Sequence, residues 1–266
     1  MSSLMTGAQL SALYDAENQW AADDDFFLAL VNEKPNSRVL DLGCGTGRVS
    51  LAIAAKGHRV VGIDPNTSSL AAARGKRGAE KVTWIDGTSA QIPEESFDVA
   101  IMTAHVAQAI SADDDWSRTL ADVHRALAPG GRLAFDSRDP LARAWEGWTP
   151  VRTRRGHTLP DGSTLETWME CAPLSGGLVT LTEHRVLNGS IQPAETSVLA
   201  FRTEEQLRHD LTMAGFVAER ISGGWSGEDV GSGQGELIVV ARKPHSPEPT
   251  TKNPAPATMR AVQGQA

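Results

Sequence analysis

The sequence predicts an α/β protein with a doubly wound, mostly parallel sheet. Short apolar runs with strand character alternate with segments of helical periodicity through the first half of the chain, which is the pattern of βαβ units. The chain has 266 residues, which suffices for one well-buried domain with an embellishment and is short for two. The right-handed crossover rule then places helices on both faces of the sheet.

The elements of the first half follow from hydrophobic spacing and from stop signals. In the first helix, apolar side chains such as Leu13, Trp20 and Phe27 recur at roughly helical spacing, whereas each strand is a short apolar run. Gly57 follows the second helix, and Pro129 follows the helix before the fifth strand, as helix stops commonly do. In chain order we predict helix 8–31, strand Arg38–Leu42, helix 48–56, strand Arg59–Ile63, helix 66–74, strand Val82–Ile85, strand Phe97–Thr103, helix 114–127 and strand Arg132–Asp136.

The pattern changes after residue 150. Short alternating stretches, as in Thr164–Trp168 and Leu178–Thr182, are bounded by turn sequences, Pro160-Asp161-Gly162 and Ser175-Gly176-Gly177. They predict a small antiparallel sheet that is inserted into the main domain. The main domain then closes with a helix and two strands, predicted over 203–214, Phe216–Ile221 and Glu236–Ala241.

Four regions follow from these elements. The last of them is polar and holds five prolines from Pro244 onward, so we expect it to be disordered. The predicted regions are an N-terminal helical cap (1–35), a main domain (36–149 and 202–243), an antiparallel β insertion (150–201) and a disordered tail (244–266).

Composition and charge argue against several classes of function. The net charge of −8 argues against a nucleic-acid partner, because phosphate backbones require clustered Lys and Arg. No segment has the roughly 18 consecutive apolar residues of a membrane span, and the acidic N-terminus does not resemble a signal peptide. The two cysteines, Cys44 and Cys171, lack metal-ligand spacing, so no metal site is predicted. A reduced, cytoplasmic enzyme that acts on soluble substrates is therefore the expectation.

The strongest motif is Asp41-Leu42-Gly43-Cys44-Gly45-Thr46-Gly47, which follows the first predicted strand. Glycine at every second position lets a strand turn sharply into a helix while a ligand lies against bare backbone. A dinucleotide site is the rival interpretation, but Arg48 stands where its third glycine belongs. The charge of Asp41 would also repel a pyrophosphate, whereas it would attract a sulfonium and an ammonium group.

Two further acids end successive predicted strands. Asp64 ends the second strand, where a carboxylate can accept hydrogen bonds from both hydroxyls of a ribose. Asp86, followed by Gly87, ends the third strand and can accept a hydrogen bond from an adenine amino group. A solvated loop or a helix cap would explain each acid alone. Together with Asp41, however, they form a series of three acids at the ends of three strands.

With these motifs the chain resembles the class I S-adenosylmethionine-dependent methyltransferases of the small-molecule type. The resemblance covers residues 12–137 and 203–242. It implies S-adenosyl-L-methionine as cofactor and a seven-stranded sheet of order 3-2-1-4-5-7-6 with an antiparallel last strand. The segments that carry it are Val39–Gly47, Gly62–Asp64, Asp86–Gly87, Ser96–Ala100 and Leu127–Leu133.

The same resemblance assigns further residues to the cofactor. Tyr14, the only tyrosine, is expected to close over the methionine end of the cofactor, although a half-buried helix residue would need no such role. Pro65 and Thr103 adjoin the ribose motif and the fourth strand and are also predicted to contact the cofactor. In similar glycine and amino-sugar N-methyltransferases, an antiparallel insert after the fifth strand covers the active site.

The candidate catalytic residues are His105, Arg138 and His184. His105 follows the fourth strand and is the first candidate for a general base, because imidazole titrates near neutral pH; a structural histidine is the alternative. Arg138 could hold a substrate carboxylate or phosphate, or could pair with a neighbouring Asp. His184 lies in the insertion with Trp168, which could line a pocket or belong to the core.

The sequence thus predicts in-line methyl transfer to a nitrogen or oxygen nucleophile of a small metabolite. Two alternatives remain open, a non-catalytic S-adenosylmethionine-binding protein and an NAD-dependent oxidoreductase. An RNA or protein methyltransferase is disfavoured by the acidic composition. No membrane partner is expected, and a homodimer is left open.

Overall fold

The computed structural model describes residues 4–94 and 96–245. The predicted tail therefore lies outside the described residues, except for Pro244 and His245. The α-helices are α1 (Gly7–Glu17), α2 (Ala22–Asn32), α3 (Arg48–Ala55), α4 (Thr67–Gly75), α5 (Val106–Ala109), α6 (Asp113–Ala126), α7 (Pro150–Thr153) and α8 (Glu204–Met213). The strands are β1 (Arg38–Leu42), β2 (Arg59–Asp64), β3 (Val82–Asp86), β4 (Phe97–Met102), β5 (Leu127–Arg138), β6 (Arg155–Thr158), β7 (Thr164–Pro173), β8 (Leu178–Leu187), β9 (Ser190–Ile191), β10 (Glu195–Ala200), β11 (Val217–Ser222) and β12 (Glu236–Arg242).

The main sheet confirms the predicted fold class and strand order. Within the described residues it has seven strands in the order β11-β12-β5-β4-β1-β2-β3. The strand β12 runs antiparallel to both of its neighbours, whereas β5, β4, β1, β2 and β3 are parallel. The carboxyl ends of the parallel strands therefore meet at one edge of the sheet, where doubly wound folds bind their ligands.

Two apolar clusters cover the faces of this sheet, because successive side chains of a strand point to opposite sides. Leu40 of β1 belongs to the first cluster, which α6 joins through Trp116. The neighbouring Val39 belongs to the second cluster, together with Phe27 of α2 and Ile53 of α3. All five side chains are essentially inaccessible to solvent. The sheet is thus rigidly held between two helical layers.

The N-terminal region corrects one prediction, because residues 8–31 form two helices and not one. The side chain of Asn18 donates to the carbonyl of Tyr14 at the end of α1, which offers the backbone an alternative to continuing the helix. Ala21 is extended, and its N–H donates to the carboxylate of Asp24 in the first turn of α2. This cap starts a second helix and turns the chain toward the sheet.

The predicted insertion is present as a second, antiparallel sheet in the order β10-β8-β7-β6, with β9 paired to β8. It packs on α1 through a small cluster that contains Leu13, Leu159, Leu165 and Leu187. A hydrogen bond of 2.8 Å from Gln9 of α1 to an Asp side chain of the β6–β7 turn adds to this contact. The insertion is therefore a cover over the N-terminal helix.

Other boundaries differ in detail from the sequence-based expectation. The fifth strand begins at Leu127 and not at Arg132, because the chain around Gly130 and Gly131 already exchanges backbone hydrogen bonds with Lys243. Short helical turns, which were not predicted, occupy much of the segment between β5 and β6. Among the described residues, no helix is long and apolar enough to cross a membrane.

Candidate active site

The glycine motif forms the tight turn between β1 and α3 that the sequence predicts. Gly43, Gly45 and Gly47 have φ values of 79°, 52° and 79°, a region that strongly favours glycine. A Cβ atom on Gly43 would lie 2.4 Å from Val106, and one on Gly47 would lie 2.5 Å from Trp84. At Gly45 the nearest atom would be Tyr14 Cε1 at 4.0 Å. Gly43 and Gly47 thus permit packing, whereas Gly45 borders open space.

Asp41 lies beneath this turn and is 1% exposed. Ser50 Oγ donates to Asp41 Oδ2 at 2.5 Å, but Oδ1 is buried and has no hydrogen-bond partner among the described residues. Burial raises the pKa of Asp41 to about 7, and the hydrogen bond from Ser50 opposes this shift. A buried carboxylate with a free oxygen is suited to a cationic ligand group such as an ammonium.

Asp64 and Asp86 lie side by side, because they pair in the register of β2 and β3. Both carboxylate oxygens of Asp64 accept backbone N–H groups, Oδ2 from Gly45 at 2.7 Å and Oδ1 from Asn66 at 2.8 Å. Each oxygen keeps a second lone pair, so the oriented carboxylate can still accept ribose hydroxyls. Asp86 is exposed, as is Pro65, and both border the same edge of the sheet.

The helix α1 is tied to the glycine turn by contacts that the sequence analysis missed. Thr46 Oγ1 donates to Asp15 Oδ1, and Lys76 Nζ donates to the carbonyl of Thr46 at 2.9 Å. Lys76 also forms an ion pair with Asp15 at 2.7 Å. These contacts hold Tyr14 beside Gly45, and burial raises the pKa of the Tyr14 phenol. The tyrosine therefore lies where the turn is open.

His105 lies just after β4, two positions beyond Thr103, whose side chain is buried. Its Nε2 is 2.9 Å from Glu236 Oε2 and 3.3 Å from Asp136 Oδ2, and its backbone N–H donates to Asp136 at 2.9 Å. Burial raises the pKa of Asp136 to about 6, and His105 opposes this shift. The next residue, Val106, packs against Gly43. This triad of side chains therefore adjoins the glycine turn.

Among the described residues, Arg138 forms no ion pair with Asp136 or Asp139, which was one of the two roles that the sequence suggested. Its Nη1 donates to Gln108 Oε1 at 2.8 Å, and its guanidinium lies over the Trp148 ring at 5.1 Å from the centroid. Asp139 instead accepts the N–H of Leu141 and caps a short helical turn. Burial lowers the pKa of Arg138 from its usual value.

A cavity of about 590 Å³ lies between α1 and the inserted sheet. Tyr14, Trp168 and His184 line it, and the last two rings are stacked with centroids 5.1 Å apart and planes at 5°. A smaller cavity of about 230 Å³ also borders Tyr14 and reaches Asn66, the neighbour of the ribose motif. As far as the chain is described, His105 and Arg138 do not line the larger cavity, so the three predicted catalytic residues do not converge there.

The match to known families decides the class. Residues 39–131, which contain the glycine turn and both strand-end acids, match the family model described as a methyltransferase domain. The chain contains an S-adenosylmethionine-dependent methyltransferase domain of the class I fold. The predictions of a methyltransferase and of S-adenosyl-L-methionine as its cofactor are thereby confirmed, over the two alternatives that the sequence left open.

Relatives and solved structures agree with this class. The methyltransferase is 28% identical over 213 residues to the cypemycin N-terminal methyltransferase of Streptomyces sp, a match that covers 77% of this chain and 82% of that one. Its fold is similar to that of the CcbJ methyltransferase from Streptomyces caelestis, with a TM-score of 0.68 and 18% identity. The match covers 90% of this chain and 97% of that one. Its fold is also similar to that of CalS10, an amino pentose methyltransferase from Micromonospora echinaspora, with a TM-score of 0.64 and 19% identity. That match covers 91% of this chain and 99% of that one.

The residues present in this methyltransferase fit its cofactor. The buried, unpartnered oxygen of Asp41 offers a hydrogen-bond acceptor, and at Gly45 no atom lies closer than 4.0 Å to an added Cβ. Sequence reasoning missed Glu236, which meets His105 across 131 positions, and Asp15, which ties α1 to the turn. No local signal marks either contact, because both depend on how distant elements pack.

Proposed function

We propose that this enzyme transfers a methyl group to a nitrogen or oxygen nucleophile of a small metabolite that binds between α1 and the inserted sheet. The observation that carries this proposal is the cavity of about 590 Å³, which shares Tyr14 with the glycine turn. An acceptor there is covered by the insertion and lies next to the cofactor motif. A cavity of this size suits a small molecule and is too small to admit a folded macromolecule.

On this proposal, three acids hold the cofactor. The Asp41 carboxylate receives the ammonium of its methionine part, Asp64 receives the ribose hydroxyls, and Asp86 receives the adenine amino group. Gly43, Gly45, Gly47 and Gly87 let the backbone approach, and Pro65 and Thr103 complete the contacts. When bound, S-adenosylmethionine supplies a methyl group on a positively charged sulfur, which is a good leaving group because it departs as a neutral thioether.

The task of the chain is then to bring the nucleophile close, aligned and unprotonated. Positioning of this kind contributes about 7–11 kcal/mol in favourable cases. Tyr14 closes the space between the cofactor turn and the cavity, and the inserted sheet excludes water from the acceptor. An amine arrives neutral after desolvation, whereas a hydroxyl needs in addition a group that takes its proton.

The cavity wall indicates the chemistry of the acceptor. Trp168, Met169 and Leu13 supply an apolar surface. Glu17 and Glu183 also line the cavity, where each forms an ion pair at 3.1 Å, Glu17 with His157 and Glu183 with Arg185. Burial raises the pKa of Glu183, while the cation of Arg185 opposes this shift. An acceptor with a flat or apolar body and a basic or hydroxylated end fits this wall. The amino pentose methyltransferase with a similar fold supports an amine-bearing acceptor.

The test is a screen with methyl-labelled S-adenosylmethionine against amines, amino sugars, hydroxylated metabolites and short peptides with free N-termini. The peptides are included because a relative is named an N-terminal methyltransferase. Trp168→Ala should lower kcat/KM for a small-molecule acceptor at least about tenfold, or about 1.4 kcal/mol, and leave cofactor affinity unchanged. Trp20→Ala is the matched control, because Trp20 is half-exposed and does not line the cavity.

Equal activity of the two tryptophan variants would contradict the placement of the acceptor. Label that enters only RNA or intact protein would contradict the small-molecule substrate. Mass spectrometry of the product assigns the methyl group to nitrogen or to oxygen.

A further inference from the structure

His105, Asp136 and Glu236 come together from three different elements at the carboxyl edge of the main sheet. His105 follows β4, Asp136 lies in β5 and Glu236 begins β12. One donor atom from each side chain can be chosen so that all three lie within 4.8 Å of one another. One imidazole and two carboxylates form a donor set with a charge of −2 when the imidazole is neutral, which a divalent cation balances.

The spacing of these donors fits coordination of one ion. Zinc binds histidine nitrogen and carboxylate oxygen at about 2.0–2.2 Å, so adjacent donors are roughly 3.0 Å apart in octahedral and roughly 3.4 Å apart in tetrahedral geometry. His105 Nε2 lies 2.9 Å from Glu236 Oε2 and 3.3 Å from Asp136 Oδ2. The oxygen atoms of Asp136 and Glu236 complete the set, since all three donor atoms lie within 4.8 Å of one another.

Distances of this length also fit an ion pair between an imidazolium and two carboxylates, so a second observation decides. Asp136 is 1% exposed, and its Oδ1 is buried without a hydrogen-bond partner among the described residues. An ion pair through Oδ2 leaves that oxygen unsatisfied, which is unfavourable for a buried charged group. A metal ion in front of the carboxylate can engage both oxygens.

The surroundings hold these ligands, and the side chains of His105 and Glu236 remain 21% and 17% exposed. The backbone N–H of His105 donates to Asp136 Oδ2 and orients the carboxylate. Arg138, the nearby cation, donates its hydrogen bond to Gln108 and lies over Trp148, while its charge also interacts with Glu236 and Asp136. Ala104 and His105 both have left-handed backbone conformations, with φ values of 55° and 62°, which persist only where the surrounding structure holds them.

We propose that His105, Asp136 and Glu236 bind a divalent transition-metal ion of the Zn²⁺, Mn²⁺ or Fe²⁺ class. An imidazole with two carboxylates suits these ions, whereas Ca²⁺ and Mg²⁺ prefer oxygen ligands alone. Three protein ligands leave coordination positions free for an oxygen atom of a ligand. Because His105 is then a metal ligand, it is not the general base, and the metal and base assignments exclude each other.

The test needs no acceptor, so its result is independent of the proposed function. Tag-free full-length protein is treated with chelator, dialysed and titrated with Zn²⁺ and Mn²⁺ by calorimetry. Co²⁺ is titrated in parallel, with visible absorption as a report of its ligands. We expect one ion per chain and an affinity at least tenfold weaker in Glu236→Gln, whose fold is checked by circular dichroism. Glu236 is the residue to change because it is partly exposed and begins a strand.

The matched controls are Glu17→Gln and Glu170→Gln. Each of these glutamates pairs with one histidine, Glu17 with His157 at 3.1 Å and Glu170 with His184 at 3.8 Å. Both controls should bind the ion as the wild type does. Failure of all three ions to bind, or equal binding in Glu236→Gln, would show that the triad is an ion pair and overturn the proposal.

Discussion

Replacing Asp64 by alanine tests the cofactor assignment at a carboxylate that two backbone N–H groups hold in place. Its carboxylate accepts the N–H of Gly45 and of Asn66 at 2.7 and 2.8 Å, and we assign the ribose hydroxyls to its remaining lone pairs. A hydrogen bond to a charged group contributes about 1.5–3 kcal/mol. Loss of the ribose contacts should therefore raise the dissociation constant for S-adenosylhomocysteine roughly 10- to 150-fold.

The assay is calorimetric titration with S-adenosylhomocysteine, with the fold of each variant checked by thermal unfolding. Asp98→Ala is the matched control, because Asp98 also accepts a backbone N–H, from Arg38 at 2.8 Å, and ends no strand at the cofactor edge. The control should lose stability but keep its affinity. A folded Asp64→Ala variant with wild-type affinity, or equal loss in both variants, would refute the ribose assignment.

Two further predictions concern the turn itself. The pKa of Asp41 is raised from 3.8 to about 7 in the folded chain, so the free energy of unfolding should fall as pH rises from about 4 to about 7. Denaturant titrations of Asp41→Asn should lack that slope and show the variant to be more stable than the wild type at pH 8. Since the ionised carboxylate attracts an ammonium, affinity for S-adenosylhomocysteine should rise through pH 7 in the wild type only; a parallel rise in the variant would contradict this. Gly47→Ala should lower the free energy of unfolding by about 1–3 kcal/mol more than Gly57→Ala does. Both glycines have positive φ, but only at Gly47 would the added Cβ meet a side chain, at 2.5 Å. Equal losses of stability would show that backbone strain alone acts.

The cofactor side of the site was largely predictable from the sequence, because its residues follow the strands one by one. Asp64 and Asp86 end β2 and β3, and Asp41 is the last residue but one of β1; parallel strands bring their carboxyl ends to one edge. The periodicity of each element and the glycine spacing are local signals. These signals predict the fold class, whereas the strand order was implied by the resemblance to the class I methyltransferases. The residue roles stay predictions that the variants above can test.

The rest of the site depends on contacts that no local pattern records. Glu236 reaches His105 only because β12 inserts beside β5, and Asp15 reaches Thr46 only because α1 folds back over the turn. The break in the N-terminal helix depends on side-chain caps that compete with continued helix, a balance that apolar periodicity does not show. The position of the acceptor cavity follows from how the inserted sheet packs on α1.

The measurement that tests the central claim most directly is calorimetric titration of the wild-type protein with S-adenosylhomocysteine and, in parallel, with NADH. The site built around Asp41, Gly45 and Asp64 predicts micromolar binding of the first ligand and none of the second. Binding of NADH alone would contradict the interpretation of the Asp41 carboxylate, and with it the assignment of the whole site.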